Sequence, residues 1–271
     1  MERNQLFALF GNPVSHSNSA LMHNTVFKEL GINARYHAIC VERTVNIVHL
    51  MEILNIRGAS ITIPFKTSIV EHIDEITESA QRIGAVNTIV RSEGRLKGDN
   101  TDWIGIVSAI QESTEIKGRT FIIQGSGGAA RAAVFGVMNE GGVPVVTSRT
   151  TRNGEKLAQD FGCEYRPLEE LENIATDFLI NATPVGMYPD VEKSPVKKEA
   201  LGKFKWVMDV VYNPLKTRLL MDAEEAGCSI ISGLSMFVNQ GAEQLKIWMG
   251  IQPPRELMTK VVMENLKNER N

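Results

Sequence analysis

The chain has little that would tie it to an extracellular, membrane or nucleic-acid setting. Only three of its 271 residues are cysteines. Cys40, Cys163 and Cys228 are odd in number and far apart, so no disulfide framework is expected and the thiols read as reduced cytoplasmic ones. No apolar stretch approaches the roughly 18 residues that a membrane span needs. The start, Met1-Glu2-Arg3-Asn4-Gln5, runs into a strand pattern without a secretory signature. Basic residues do not outnumber acids. The formal net charge is −3, which argues against a nucleic-acid footprint. His16, His23, His37, His49 and His72 form no spaced cluster with cysteine or acid, so no metal site is expected. Repeats and low-complexity segments are absent. What remains, 43% hydrophobic and 23% charged residues, is ordinary for a globular protein of one or two domains.

The most informative segment present is a glycine-rich turn, Gly125-Ser126-Gly127-Gly128-Ala129-Ala130. It follows the apolar run Thr120-Phe121-Ile122-Ile123 and precedes a helical pattern through Met138. Strand, glycine turn and helix together make a nucleotide-site candidate. The first glycine permits a tight turn, the second lets backbone approach a pyrophosphate, and a small third residue, Ala130, lets helix and strand pack closely. The helix N-terminus offers N–H groups and a positive dipole end to phosphates.

The next strand bears on the cofactor. Val143 to Thr147 leads into Ser148-Arg149-Thr150-Thr151-Arg152, with no acid before Glu155. An NAD site usually places a carboxylate there for the ribose 2′-OH. A guanidinium fork among hydroxyls suits a 2′-phosphate instead, so Ser148, Arg149, Thr150 and Arg152 favour NADP. The alternative is a surface loop with two solvated arginines.

More than a hundred residues precede the glycine turn, enough for a separate domain. They alternate strand and helix patterns, with strands near Leu6–Phe10, Ala34–Val41 and Gly58–Ile63, and helices over Ser19–Leu30 and Val45–Leu54. A hairpin is expected around Ser92-Glu93-Gly94 and a bridging helix over Thr101–Ser113. Such alternation implies an α/β fold with a mostly parallel sheet. After the turn, strands are expected at Phe178–Ile180, Trp206–Val210 and Ser229–Ile231. Helices are expected over Leu215–Glu225, Met236–Trp248 and Arg255–Leu266, the last two returning to the front domain.

Four polar clusters of the front segment sit at strand ends or turns, where open α/β sheets bind ligands. Ser15 and Ser17 could bond a carboxylate or sugar-like hydroxyls, or simply serve as a helix cap and a turn serine. Thr62-Ile63-Pro64-Phe65-Lys66 places a lysine in an expected first helical turn, where the dipole disfavours a cation and a structural role is unfavourable. Asn87 begins a strand. Asp102 either opens a helix as a dipole-stabilised acid or does chemistry.

Together these clusters carry a resemblance. The sequence resembles the shikimate dehydrogenase family through Gly11-Asn12-Pro13-Val14-Ser15-His16-Ser17, Ile63-Pro64-Phe65-Lys66, Gly84-Ala85-Val86-Asn87-Thr88 and Gly98-Asp99-Asn100-Thr101-Asp102. The glycine turn follows, then Asn181-Ala182-Thr183-Pro184-Val185-Gly186-Met187, Asp209-Val210-Val211-Tyr212-Asn213-Pro214 and Gly233 to Gln240, in the family's order and across nearly the whole chain. The resemblance implies a substrate-binding α/β domain of residues 1–102 and 238–271, a Rossmann-like NADP-binding domain of residues 103–237, and a cleft between them. It implies Lys66 and Asp102 as the catalytic pair and Ser15 and Ser17 as holders of the substrate carboxylate. Thr62, Asn87 and Gln240 would meet ring hydroxyls, with Tyr212 close by. The glycine turn and residues 148–152 would hold NADP, with Thr183, Val210, Gly233 and Met236 beside it. Departures from the common pattern are Ala20 for proline, Ser60 and Ser148 for asparagine, and Gly241 for alanine; none removes a catalytic group.

The implied reaction is reversible, NADP-dependent reduction of 3-dehydroshikimate to shikimate in aromatic amino-acid biosynthesis, by a cytoplasmic monomer or homodimer acting on small molecules. Lys66 would give a hydrogen bond or proton to the developing alkoxide and Asp102 would fix the ammonium. Two alternatives differ in class. A quinate/shikimate dehydrogenase with broader substrate or NAD use is opposed by a serine at the second carboxylate position and by the basic 2′-site. A non-catalytic NADP-binding sensor is opposed by the presence of both Lys66 and Asp102.

Overall fold

The computed structural model describes residues 4–173 and 176–268. The chain divides into two compact units, Met1–Thr101 with Gln240–Asn271, and Asp102–Asn239.

The first unit runs β1 (Gln5–Gly11), α1 (Ser19–Glu29), β2 (Ala34–Cys40), α2 (Thr44–Ile53), β3 (Gly58–Ile61), β4 (Glu75–Ile76), α3 (Glu78–Ile83), β5 (Thr88–Ser92) and β6 (Arg95–Asp99). Its six-stranded sheet has the order β2-β1-β3-β5-β6-β4. The β1–β2, β1–β3 and β4–β6 pairs are parallel, and β5 is antiparallel to both β3 and β6. The β5–β6 hairpin closes on Glu93 and Gly94 alone, both at positive φ (53° and 78°). That two-residue turn matches the twist of the flanking strands. Ala8, Phe10, Ile47, Met51, Ile56, Ala59 and Ile89 form the buried core under α2.

The second unit runs α4 (Asp102–Gln111), β7 (Thr120–Gln124), α5 (Gly128–Asn139), β8 (Val143–Thr147), α6 (Thr151–Phe161), β9 (Glu164–Tyr165), β10 (Phe178–Asn181), α7 (Lys198–Leu201), β11 (Trp206–Asp209), α8 (Arg218–Glu225) and β12 (Ser229–Ile231). All its strand pairs are parallel. Read from the other edge, the order β9-β8-β7-β10-β11-β12 is 3-2-1-4-5-6 in chain order, that of a doubly wound dinucleotide-binding sheet. The central strands are covered on both faces, so Phe178-Leu179-Ile180 reads as a continuous apolar run rather than an alternating one. The strand order reverses between β7 and β10, where ligands of such sheets bind.

α9 (Gly233–Met249) starts in the second unit and ends in the first, and α10 (Arg255–Asn268) packs on α1. The far end of α9 is fixed by Trp248. Its indole nitrogen donates to the Ile89 carbonyl at 2.9 Å, and its ring fills the space beside Gly58, where a Cβ would come within 2.5 Å. Helix α8 begins at Arg218 rather than at the expected Leu215. Thr217 caps it by accepting from the Leu220 N–H, so the segment before it stays outside the helix.

Candidate active site

In the first unit the loop after β1 lies against the loop after β3. The Asn12 N–H donates to the Ile63 carbonyl at 2.9 Å and the Thr62 N–H to the Phe10 carbonyl at 2.9 Å. Gly11 is required by this approach: a Cβ there would sit 2.3 Å from the Thr62 methyl. The first loop presents Ser15, which is exposed, and Ser17, which is half-buried. They differ in local use. The Ser17 hydroxyl donates to Ser19 Oγ at 3.0 Å and accepts the Ser19 N–H at 3.2 Å, so it helps shape the entry to α1.

Lys66 is placed differently from the sequence expectation. No helix starts at Pro64. Ile63–Pro64 is a cis peptide, and Phe65 N–H donates to the Thr62 carbonyl at 2.9 Å, closing a turn of type VI geometry. A short 3₁₀ helix begins only at Ser68. Lys66 therefore lies in a turn, half-buried, with its carbonyl taking the Val86 N–H at 2.7 Å. No helix that starts at Pro64 sets its dipole against this lysine. Its standing rests on its place at a strand end beside Thr62 and the Asn87 segment.

Asn87 is the hub of a buried network. Its Oδ1 accepts from the Thr101 N–H at 2.7 Å and the Thr88 hydroxyl at 2.7 Å. Its Nδ2 donates to Thr101 Oγ1 at 3.0 Å and to Gln240 Oε1 at 3.4 Å. Asn100 is held in the same way, donating to the Ala85 carbonyl at 2.8 Å. The structure thus brings together Asn87 and Gln240 from segments 153 residues apart. Asp102 follows Thr101 directly and opens α4 in the second unit, where its side chain is buried.

In the second unit the glycine turn leaves room at the start of α5. Gly125 has φ +130°, and a Cβ on it would come within 3.0 Å of the Ala182 carbonyl. Gly127 is the N-cap of α5 and a Cβ on it would meet nothing within 4 Å, which leaves open space over the helix N-terminus. Ser126, Gly128 and Ala129 are partly accessible around it, and Ala130 is fully buried between helix and sheet. Arg149, Thr150 and Arg152 are exposed at the end of β8 and the start of α6. Ser148 is buried instead, with its hydroxyl donating to the Thr150 carbonyl at 2.8 Å, so it shapes the loop from inside. These residues fit a dinucleotide carrying an extra phosphate.

Two more loops of this unit are tied at the sheet's carboxyl edge. Thr183 donates through its hydroxyl to Asn181 Oδ1 at 2.7 Å, and its N–H donates there at 3.0 Å. Asn181 Nδ2 donates to Asp209 Oδ1 at 2.9 Å. Asp209 also accepts from the Thr217 hydroxyl at 2.6 Å and the Val211 N–H at 3.0 Å. Burial pushes the Asp209 carboxyl up to about 7, against the pull of Thr217, Val211 and Asn181 toward the charged form. Gly233 lets α9 start against the Val210 and Val211 carbonyls, either of which a Cβ would approach to 2.6 Å. Val210 is half-buried and Met236 is buried beyond that contact. Tyr212 stacks on Phe237 with ring centroids 4.1 Å apart.

Ser60, Gln244, Asn181, Asp209 and Thr217, polar residues with no expected role, are placed in networks by the fold. Asn181 and Asp209 open two of the family motifs, and Gln244 stands one helical turn beyond Gln240 on the same face. Among the described residues no group of His, Cys, Asp and Glu could hold a metal ion, and no helix is long and apolar enough to cross a membrane.

Known proteins resemble this chain in sequence and fold. Residues 9–89 match the family model of the shikimate dehydrogenase substrate binding domain, and residues 233–263 that of the shikimate 5′-dehydrogenase C-terminal domain. The shikimate dehydrogenase (NADP(+)) of Pyrococcus abyssi is 42% identical over 264 residues, covering 97% of this chain and 98% of that protein. A shikimate dehydrogenase solved in complex with NADP+ superposes with a TM-score of 0.90 at 38% identity, covering 97% of this chain and 96% of the other. The shikimate 5-dehydrogenase of Thermus thermophilus, solved with NADP(H) and shikimate, gives a TM-score of 0.88 at 35% identity, covering 97% and 99%.

Proposed function

The chain belongs to the shikimate dehydrogenase family, and from that membership we propose that it catalyses the NADP-dependent, reversible reduction of 3-dehydroshikimate to shikimate. The observation that carries this reading is the pairing of a polar cluster with a phosphate-ready turn in one chain. Asn87 and Gln240 are joined in the first unit, and the open Gly127 turn with exposed Arg149 stands in the second. The three cysteines are not disulfide-bonded, in keeping with a cytoplasmic enzyme.

The roles follow from the chemistry. Gly125, Ser126, Gly127, Gly128, Ala129 and Ala130 hold the pyrophosphate of NADP, and Arg149, Thr150 and Arg152 its 2′-phosphate. Thr183 and Val210 are further contacts of the cofactor, and Gly233 and Met236 lie near its nicotinamide. Bound there, NADP would supply the hydride to the ring carbon or take it up in the reverse direction. Ser15 and Ser17 bind the substrate carboxylate. Thr62, Asn87 and Gln240 meet the ring hydroxyls and orient the carbon that changes, and Tyr212 is a further substrate residue. Lys66 hydrogen-bonds the oxygen there and supplies its proton as the alkoxide develops. Asp102 is the second member of the catalytic pair. Apart from Asp102 and Tyr212, the proposed substrate residues lie in the first unit, and the proposed cofactor residues lie in the second.

Initial rates with shikimate and with quinate, each with NADP and with NAD, test the reading. Shikimate with NADP should give the highest kcat/KM. Ser17, rather than a threonine, and the basic 148–152 segment set that expectation against the broader quinate-using enzyme. Equal use of NAD, or a preference for quinate, overturns it.

A further inference from the structure

Gln240 is not the only glutamine that α9 turns inward. Gln244 is 1% exposed, and both ends of its amide are engaged. Its Oε1 accepts the Ser60 hydroxyl at 2.8 Å. Its Nε2 donates to Thr88 Oγ1 at 3.1 Å and to the Asn87 carbonyl at 3.3 Å. Ser60 in turn accepts the Tyr36 hydroxyl at 2.6 Å.

The polarity of this chain is fixed throughout. Ser60 spends its hydrogen on Gln244, so the Gln244 oxygen must face Ser60 and its nitrogen must face β5. Thr88 accepts from that nitrogen and gives its own hydrogen to Asn87 Oδ1 at 2.7 Å. Asn87 Oδ1 is thereby held toward Thr88 and Thr101, and Asn87 Nδ2 toward Gln240 Oε1 at 3.4 Å. A run of hydrogen bonds passes from Tyr36 through Ser60, Gln244, Thr88 and Asn87 to Gln240, with every donor pointing the same way. Buried networks of this kind rigidify what they touch when every member is satisfied.

We propose that Gln244 is a positioning residue for substrate selection, setting through Thr88 and the Asn87 backbone how Asn87 and Gln240 present their amides to the ring hydroxyls. The proposal rests on the shikimate dehydrogenase reading. It concerns a side chain that stands behind the proposed contacts and lies on no part of them. Ser60 occupies the β3 end of the same clip, two residues before Thr62, so the clip also joins the Thr62 segment to α9.

Gln244→Met tests it, because methionine keeps the volume and removes both ends of the amide. Val262→Ala, a packing loss on α10 in the same unit, serves as the control for simple destabilisation. In Gln244→Met the KM for shikimate should rise roughly tenfold while the KM for NADP stays within about twofold and kcat falls less than about threefold, the pattern of lost substrate binding. Val262→Ala should lower the melting temperature without that split. Gln244→Glu, which keeps an acceptor for Ser60 but loses both donors, should show the same split. A shikimate KM in Gln244→Met within twofold of the parent overturns the proposal, as does an equal rise in both KM values or an equal split in Val262→Ala. A parent protein that does not oxidise shikimate with NADP overturns the functional reading first, and the proposal with it.

Discussion

The Asn181 amide donates to the Asp209 carboxylate at 2.9 Å, tying the ends of β10 and β11 where two loops leave the sheet. Asp209 has no exposed surface, and its carboxyl is pushed up to about 7 by burial. The folded state therefore binds a proton that the unfolded chain, with a carboxyl near 4, has already lost. Stability from this group falls as pH rises from about 4 to about 7 and is level above that. Asp209→Asn stays neutral and removes the slope. Relative to the parent, that variant should gain about 2 kcal/mol of unfolding free energy between pH 5 and pH 7.5. Urea denaturation of both proteins at the two pH values measures it. A difference that does not change with pH shows that the carboxyl is ionised throughout.

Gly125 and Gly127 should separate stability from cofactor binding. Gly125→Ala forces a side chain into φ +130° and against the Ala182 carbonyl, so it should cost about 1–3 kcal/mol of stability. Gly127→Ala meets nothing in the protein and should change stability by less than about 1 kcal/mol. Its methyl would occupy the approach to the pyrophosphate, so NADP affinity should drop at least about tenfold, the effect of about 1.4 kcal/mol. Thermal melts and NADP titrations on both variants decide the matter. Unchanged NADP affinity in Gly127→Ala removes the turn from the phosphate site.

Ser15 and Ser17 should part company. Both replacements by alanine are expected to raise the KM for shikimate more than they lower kcat. Only Ser17→Ala should also destabilise, by roughly 1 kcal/mol, because only Ser17 bonds the entry to α1. If Ser17→Ala melts lower with the parent KM, its hydroxyl serves the helix and not the substrate.

Lys66→Ala and Asp102→Ala should each lower kcat by about 10²–10⁴-fold, the span of general acid–base groups. NADP binding should persist in both, and the double variant should be little worse than the worse single one. Steady-state rates and NADP titrations read all three. Multiplicative losses would assign the two residues independent roles, and near-normal turnover in Lys66→Ala would remove it from the proton step.

The period of the apolar residues and the glycine turn determined much of this protein. Strand, turn and helix around Gly125 were legible because each depends on neighbours a few residues away: an apolar run, a positive φ, a small residue at Ala130. The same holds for the β5–β6 hairpin, although its turn is two residues and not three. Lys66 shows the limit. Its residue type and neighbours marked it, but the helix expected after Pro64 does not form. The backbone there bonds instead to Phe10, Gly11's neighbour Asn12, and Val86, partners that lie far off in the sequence.

Only the tertiary structure decided which polar residues meet. Asn87 and Gln240 are 153 residues apart, Ser60 and Gln244 184, and no local pattern announces such pairs. They form because burial leaves each amide and hydroxyl no water to bond, so the fold must supply a partner from whichever segment packs beside it. Local propensity chose the elements. The need to satisfy buried polar groups, once those elements had packed, chose the network behind the site.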